Sequence, residues 1–480
     1  MTKSVEMVVI SHQPAGGRLM AARLFMISGA VLLAAWPGAA PASADPWTLH
    51  DAADLPDWVR IEGTFRARYE TLDGQYRVGR SPSDQLLSLR TTLLTEFKGE
   101  HVRAGLEVED SRGYLADAGS SISTGEVDVF EPIQAYIGFD LGKTFGGKSS
   151  DLELGRFTLN LGSGRLVGRN NFRNTTNAFT GVRFGWTGEA GGNFTAFYTL
   201  PHDRRPADQA SLLDNKFKFD KENSDLRFWG LYYERPKALG GVDAEVFFYG
   251  LDEDDSASQP TRNRRLYTPG VRLLKSPAVD QWDFDVEGGW QFGRARATTS
   301  PADTTDLDVS AQYLHAGVGR TFDAPWKPRI EAFYDYASGD GNPGDGKWTR
   351  FDSLYGPRRT DWGPSGIYGA LSRVNISAPG VKLEVRPNAR WDGFVDYRAV
   401  WLADDQDRFD RGGEVDPTGS SGSFVGNQLQ VRARYWVIPK SVRLDFGGAV
   451  LFDGHFLKDA PNAAGNGDTT YGYADVTFQF

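Results

Sequence analysis

The chain has 480 residues, 40 % hydrophobic and 13 % aromatic, with 56 Gly, no Cys and a net charge of -10. A mean hydropathy of -0.43 excludes a bundle of membrane helices but not a barrel, whose polar lumen-facing half hides the apolar half from averaging. The missing cysteine excludes thiol chemistry, thiolate metal sites and disulfides, and the acidic balance argues against a nucleic-acid partner.

Arg18 and Arg23 precede the apolar run "LFMISGAVLLAAW", and "PASA" then sets Ala42, Ser43 and Ala44 in a small-x-small pattern. This predicts a secretory signal peptide over residues 1–44, cleaved before Asp45, because the run falls short of the roughly twenty apolar residues of a membrane span. Met20 offers an alternative start with a compact basic region. The remaining chain, 45–480, holds 50 basic and 62 acidic residues, a net charge of -12, and reads as a single domain.

The first segment beyond it, "RIEGTFRARYE", alternates Ile61, Gly63, Phe65, Ala67 and Tyr69 with Glu62, Thr64, Arg66, Arg68 and Glu70. A period of two is that of a β-strand with one apolar and one polar face. The same rule runs through "HVRAGLEVE", "PIQAYIGF", "WDFDVEGGWQF", "WDGFVDYRAVW", "NQLQVRARYW" and "SVRLDFGG". It predicts eighteen strands, near 59–70, 86–97, 101–109, 131–140, 151–159, 181–187, 192–199, 225–234, 242–251, 268–275, 281–293, 309–321, 329–336, 379–386, 391–402, 426–437, 441–452 and 471–480. Many spans match the 9–11 residues with which a tilted strand crosses a bilayer. Connections alternate, with short ones such as "KGE", "GEAG", "PNAR" and "IPK" between long ones. The expected fold is all-β: a transmembrane antiparallel β-barrel of about 18 strands, with short periplasmic turns and long extracellular loops, in the bacterial cell outer membrane. The closing segment "YGYADVTFQF" ends in an aromatic residue, a feature that resembles the assembly signal of outer-membrane proteins.

In such a barrel Trp282, Phe284, Val286, Trp290 and Phe292 face lipid, and Asp283, Asp285 and Glu287 face the lumen. The same parity turns Arg66, Arg68, Arg90, Arg398, Arg432 and Arg434 inward, with Glu62, Asp283, Asp285 and Asp396 as counter-charges. Arg156, Arg165 and Arg169 lie in the densest basic stretch, "GRFTLNLGSGRLVGRNNFRNTTNAFTGVR", where Gly162, Gly164 and Gly168 allow tight bends. A guanidinium stays ionised and grips carboxylates bidentately, so stacked arginines could hand a polyanion from site to site. Arg262 and Arg264 read as surface-loop residues outside this set. No catalytic constellation or metal-binding motif emerges, and no cofactor is expected.

The stretches "LGRFTLNLGSGRLVGRNNFRNTTNAFTGVR" and "FDSLYGPRR", with the "VRARYW" strand, resemble the alginate-export outer-membrane channels, and the likeness covers the whole mature chain. It implies an eighteen-stranded monomeric porin with an electropositive constriction, exporting an anionic uronate polysaccharide beside periplasmic secretion partners. A departure from that family is the turn "IPK", minimal where its periplasmic turn can be long. The alternatives are a general or small-anion-selective porin for uptake and, with less support, an outer-membrane enzyme.

Overall fold

The structure, a computed structural model, describes residues 47–256, 260–342 and 344–480, so the signal peptide expected over 1–44 lies outside the described residues. All eighteen expected strands form. They are β1 Val59–Asp73, β2 Ser83–Lys98, β3 Val102–Tyr114, β4 Asp128–Asp140, β5 Ser149–Phe157, β6 Phe179–Thr187, β7 Asn193–Asp203, β8 Leu226–Leu239 and β9 Val242–Glu253. The second half comprises β10 Arg265–Lys275, β11 Trp282–Ala295, β12 Leu307–Thr321, β13 Arg329–Ala337, β14 Ile376–Val385, β15 Trp391–Trp401, β16 Phe424–Ile438, β17 Val442–Asp453 and β18 Thr469–Gln479. Each strand pairs antiparallel with the next, and β18 returns to β1 in a seam running from Thr64 opposite Gln479 to Asp73 opposite Thr470. Closure leaves no sheet edge, which lipid would not tolerate. Two-residue segments, Lys221–Glu222 and Lys347–Trp348, add short pairings to β7 and β12.

The side-chain alternation decides which surface faces out. Along β11, Trp282, Val286 and Trp290 are exposed outward while Asp283, Glu287 and Gln291 are buried inward. Val246, Leu231, Val271, Val318, Ile330, Val381, Val395 and Val431 continue the apolar outer band on other strands. Val286 lies midway between Trp282 and Trp290, so Val286→Arg places a charge deep in that band and should cost about 2–4 kcal/mol. Urea titration of folded barrel in bilayers, read by heat-modifiable gel migration, should show this loss; a variant as stable as the parent would mean that the faces are reversed.

Turns on one rim contain two to eight residues, including the three-residue connection from β16 to β17, whereas connections on the other rim contain nine to 38. The two ladders beside a short turn keep adjacent strands in register, and the long connections are free to do something else. Two of them, residues 158–178 and 338–375, pack inside the barrel. They meet through a parallel bridge between Val167 and Tyr355. Gly168 is required at this meeting, since a Cβ there would sit 2.6 Å from Pro357 Cδ. Leu159, Leu166, Val167, Phe351, Trp362, Ile367, Tyr368 and Leu371 are buried between these segments and the wall residues Phe157, Phe179, Phe228 and Tyr313. A plug with an apolar core, made from the barrel's own loops, therefore occupies part of the lumen.

Candidate functional site

The plug is seated by arginines of the barrel wall. Arg66 donates from Nη1 to the Asn171 carbonyl (2.9 Å) and from Nη2 to Asn174 Oδ1 (3.1 Å). Arg68 donates to the Phe172 carbonyl (2.8 Å), pairs with Asp475 (3.1 Å) and lies over the Phe172 ring at 3.7 Å. Arg90 pairs with Glu109 (3.1 Å) and reaches the Asn171 and Arg173 carbonyls (3.3 Å each). All three are buried. The sequence reading placed them on the pore surface; in the structure they grip loop carbonyls beneath the plug, because residues 171–174 fill the lumen above them.

Arg165 holds the opposite side. Its guanidinium lies 3.1 Å from Asp285, 2.8 Å from Glu287 and 3.1 Å from Asp361, and its carbonyl accepts from Arg373 (3.0 Å). Arg373 also pairs with Asp361, and Arg272 with Asp285 (2.7 Å) and Glu245 (2.9 Å). Burial opposes the Arg165 charge, but Asp361, Glu287 and Asp285 more than offset it and hold its pKa well above the usual value. Arg398 is likewise enclosed, 3.1 Å from Asp396 and 3.6 Å from Asp335, and donates to the Asp361 carbonyl (2.5 Å). Arg156 pairs with Glu131, and Arg169 with Glu107. Asp283 pairs with Arg329 at 2.5 Å. Glu62 is no deep counter-charge: it sits 55 % exposed near the strand end, 2.6 Å from Arg60.

A cavity of about 270 Å³ opens beside the plug on its turn-side flank. Asn170, Asn171 and Phe172 face Arg359, Lys382, Phe394, Asp396, Gln430 and Arg432 across it. The Arg359 guanidinium lies 4.5 Å from the Phe172 ring centre and donates to the Tyr473 hydroxyl (3.1 Å). Arg432 covers Phe394 at 4.6 Å and shares Asp392 with Arg434, at 3.3 and 2.8 Å. Three cationic groups thus border a cavity with aromatic faces. Arg359 and Lys382 escaped the sequence reading; Lys382 had the inward parity of "VKLEV", between outward Val381 and Leu383.

Toward the long-loop rim a second group is supplied entirely by loops. Arg173 and Arg204 donate to the same oxygen, Asn177 Oδ1, at 2.7 and 2.8 Å. Arg77 donates to the carbonyls of Ile367 (2.8 Å) and Tyr368 and lies over the Tyr76 ring at 4.6 Å. Arg358 packs against Gly369, and Nη1 of Arg358 is buried without a hydrogen-bond partner among the described residues. Burial, then Arg411 and Arg77 nearby, push Arg358 down to about 9, while burial, Arg204 and Arg358 depress Arg173. Five guanidinium groups converge here, with Glu126 and Glu414 among the acids near them.

Those acids are biased toward neutrality. Burial raises Glu126, and burial raises Glu414 to about 7. A raised carboxylate is protonated below its pKa, so the cluster gains net positive charge as pH falls through about 7 and loses it as pH rises. Chloride-over-potassium selectivity should therefore be higher at pH 6 than at pH 8, and Glu414→Gln should flatten the difference. Reversal potentials measured across a salt gradient decide this; a wild-type channel indifferent to pH between 6 and 8 would contradict the assignment.

A second cavity, about 450 Å³, lies near the same rim and is lined by Arg262, Arg264, Trp348, Arg350, Asp352 and Arg408 among others. Arg264 pairs with Glu253 (2.5 Å) and Asp352, and Arg262 stacks over Trp348 at 4.6 Å. These two are therefore lumen residues, not the surface-loop pair expected from sequence, because their loop folds in against residues 348–353.

The sequence profile of a family described as alginate export matches residues 57–470. No curated protein sequence matches the chain. Among solved structures, OccK5 (OpdH) of Pseudomonas aeruginosa superposes with a TM-score of 0.54 at 11 % identity, over 88 % of this chain and 98 % of that one. OccAB3 of Acinetobacter baumannii gives 0.55 at 13 %, over 88 % and 99 %. OccK2 (OpdF) of Pseudomonas aeruginosa in complex with glucuronate gives 0.53 at 11 %, over 88 % and 96 %. At such identities the likeness is one of fold.

Proposed function

The chain belongs to the alginate-export family and is an outer-membrane β-barrel channel, and from that premise we propose that it passes an anionic, uronate-type polysaccharide out of the periplasm. The observation that carries this reading is the pair of cationic stations, Arg359, Lys382 and Arg432 on one flank of the plug and Arg77, Arg173, Arg204, Arg358 and Arg411 on the other. Net charge does not set a local field. In a narrow, low-dielectric passage the nearest charges do, and an acidic chain can still present a positive constriction. Arg434 and Arg156 extend the charged wall and Arg169 the charged face of the plug, each neutralised in part by a carboxylate.

The two stations differ in chemistry. At the first, aromatic rings of Phe172 and Phe394 lie beside cations, an arrangement suited to a sugar ring carrying a carboxylate. At the second, Arg77 is held by backbone carbonyls, and the buried Nη1 of Arg358 has no hydrogen-bond partner among the described residues. Transport through them is passive on this reading, the chain is secreted by its signal peptide and acts as a monomer, and periplasmic secretion partners deliver the polymer. No catalytic role is assigned.

Single-channel recording with oligouronates added on the turn side tests the proposal. Concentration-dependent block that lengthens with chain length is expected, with none from neutral oligosaccharides of equal length. A second reading, uptake of small organic anions, is favoured by the complex of OccK2 with glucuronate and by the small 270 Å³ cavity. Block equal for monomer and oligomer would support that alternative instead.

A further inference from the structure

We propose that Glu131, His202 and Asp220, with Asp128 beside them, form a binding site for one first-row divalent transition-metal ion, with Zn²⁺ the best chemical fit. One donor atom from each of Glu131, His202 and Asp220 lies within 4.8 Å of the others. Small side-chain rotations bring such a set to the separations of about 3.4 Å that 2.0–2.2 Å bonds to zinc require.

The site is built rather than a chance gathering of acids. Glu131 is fully buried; its Oε1 accepts from Arg156 and its Oε2 accepts from the Asp220 backbone N–H at 3.1 Å. Asp220 Oδ1 in turn accepts from the Arg205 backbone N–H at 2.7 Å, so both carboxylates are fixed in direction. The His202 imidazole has Nε2 at 2.7 Å from Thr180 Oγ1 and 3.2 Å from Glu222 Oε2. Its Nδ1 is buried with no hydrogen-bond partner among the described residues. A carboxylate on one imidazole nitrogen and a free lone pair on the other is the pattern of a metal-ligating histidine.

A second, independent sign comes from Asp128. It is fully buried, and neither of its carboxylate oxygens has a hydrogen-bond partner among the described residues. The charges it faces most strongly are Asp220, Glu109 and Glu131, with Arg204 opposing them. Burying a carboxylate against like charges is unfavourable unless it takes up a proton or a cation joins the group, and a cation serves all the carboxylates at once. The imidazole selects the cation: a His with two or three carboxylates suits Zn²⁺ or Mn²⁺, whereas Ca²⁺ and Mg²⁺ prefer all-oxygen sets. Bound there, the ion would clip the loop 204–225 to β4 and β7, and that loop begins with Arg204 of the cationic cluster.

The test uses full-length barrel in detergent, stripped with a chelator and titrated with Co²⁺, whose visible absorption reports ligand field. One Co²⁺ per chain is expected, displaced by Zn²⁺ and not by millimolar Ca²⁺. Asp220→Asn and His202→Gln should each weaken Co²⁺ binding at least tenfold while retaining heat-modifiable gel migration. Absence of saturable Co²⁺ binding by the wild-type barrel, equally ready displacement by Ca²⁺, or unchanged affinity in both folded variants would overturn the assignment. None of these readouts depends on what the channel transports.

Discussion

Replacing Arg165 by Met should open the channel several-fold in single-channel conductance and make residues 158–178 cleavable by added protease. The side chain is 4 % exposed and is the shared partner of Asp285, Glu287 and Asp361. Removing one member of a buried ionic group leaves charge without compensation, at a cost of about 3–5 kcal/mol. The wall can absorb part of the loss, since Asp285 keeps Arg272 and Glu287 keeps the Tyr313 hydroxyl at 2.8 Å. Asp361 keeps Arg373. Glu287 is left with Arg272 at 3.6 Å as its nearest cation, so adding Glu287→Gln to Arg165→Met should recover part of the docking. A single variant with wild-type conductance and protease resistance would show that the plug is held by its apolar contacts alone.

The second large effect concerns recognition. Arg358→Gln together with Arg77→Gln should weaken block by oligouronates by about 10- to 150-fold, taking roughly 1.5–3 kcal/mol for a hydrogen bond to a charged group as the net loss. Barrel stability should change little, because neither guanidinium is ion-paired to the wall: Arg77 donates to loop carbonyls and Arg358 has a free Nη1. Concentration dependence of blocking events gives the dissociation constant directly. If the double variant is blocked as tightly as the parent while Arg359→Gln is not, recognition belongs to the aromatic-lined cavity and the loop arginines only shape the field.

The barrel was legible because a membrane-spanning strand obeys one local rule. Val286 and Asp285 are neighbours with opposite solvents, and such alternation can be read residue by residue. The plug obeys no local rule. Residues 158–178 and 338–375 lie largely between predicted strands, and their inward fold depends on contacts such as Val167 with Tyr355 that no periodicity encodes. This is why Arg66 and Arg90, placed inward by parity, turn out to bind loop carbonyls. It also explains why Arg358 and Arg359, inside the stretch "FDSLYGPRR", could not be singled out. Their roles come from which face of a folded loop each presents, one to the cavity beside Phe172 and one to the arginine cluster.

The seam between β1 and β18 carries a consequence for how fast the molecule is made and unmade. Every other ladder joins strands close in sequence, whereas this one joins Thr64 to Gln479 and continues through ten paired positions. Looping a flexible chain of that length costs about 5 kcal/mol in the logarithmic term alone, and the penalty falls on a single late event. Formation should be slow, as for other folds ruled by distant contacts. Escape should be slower still, since no free edge exists from which strands can peel one at a time. Once the first and last strands have met, the lifetime of the wall is governed by the rate of breaking that one junction, and its persistence is kinetic as much as thermodynamic.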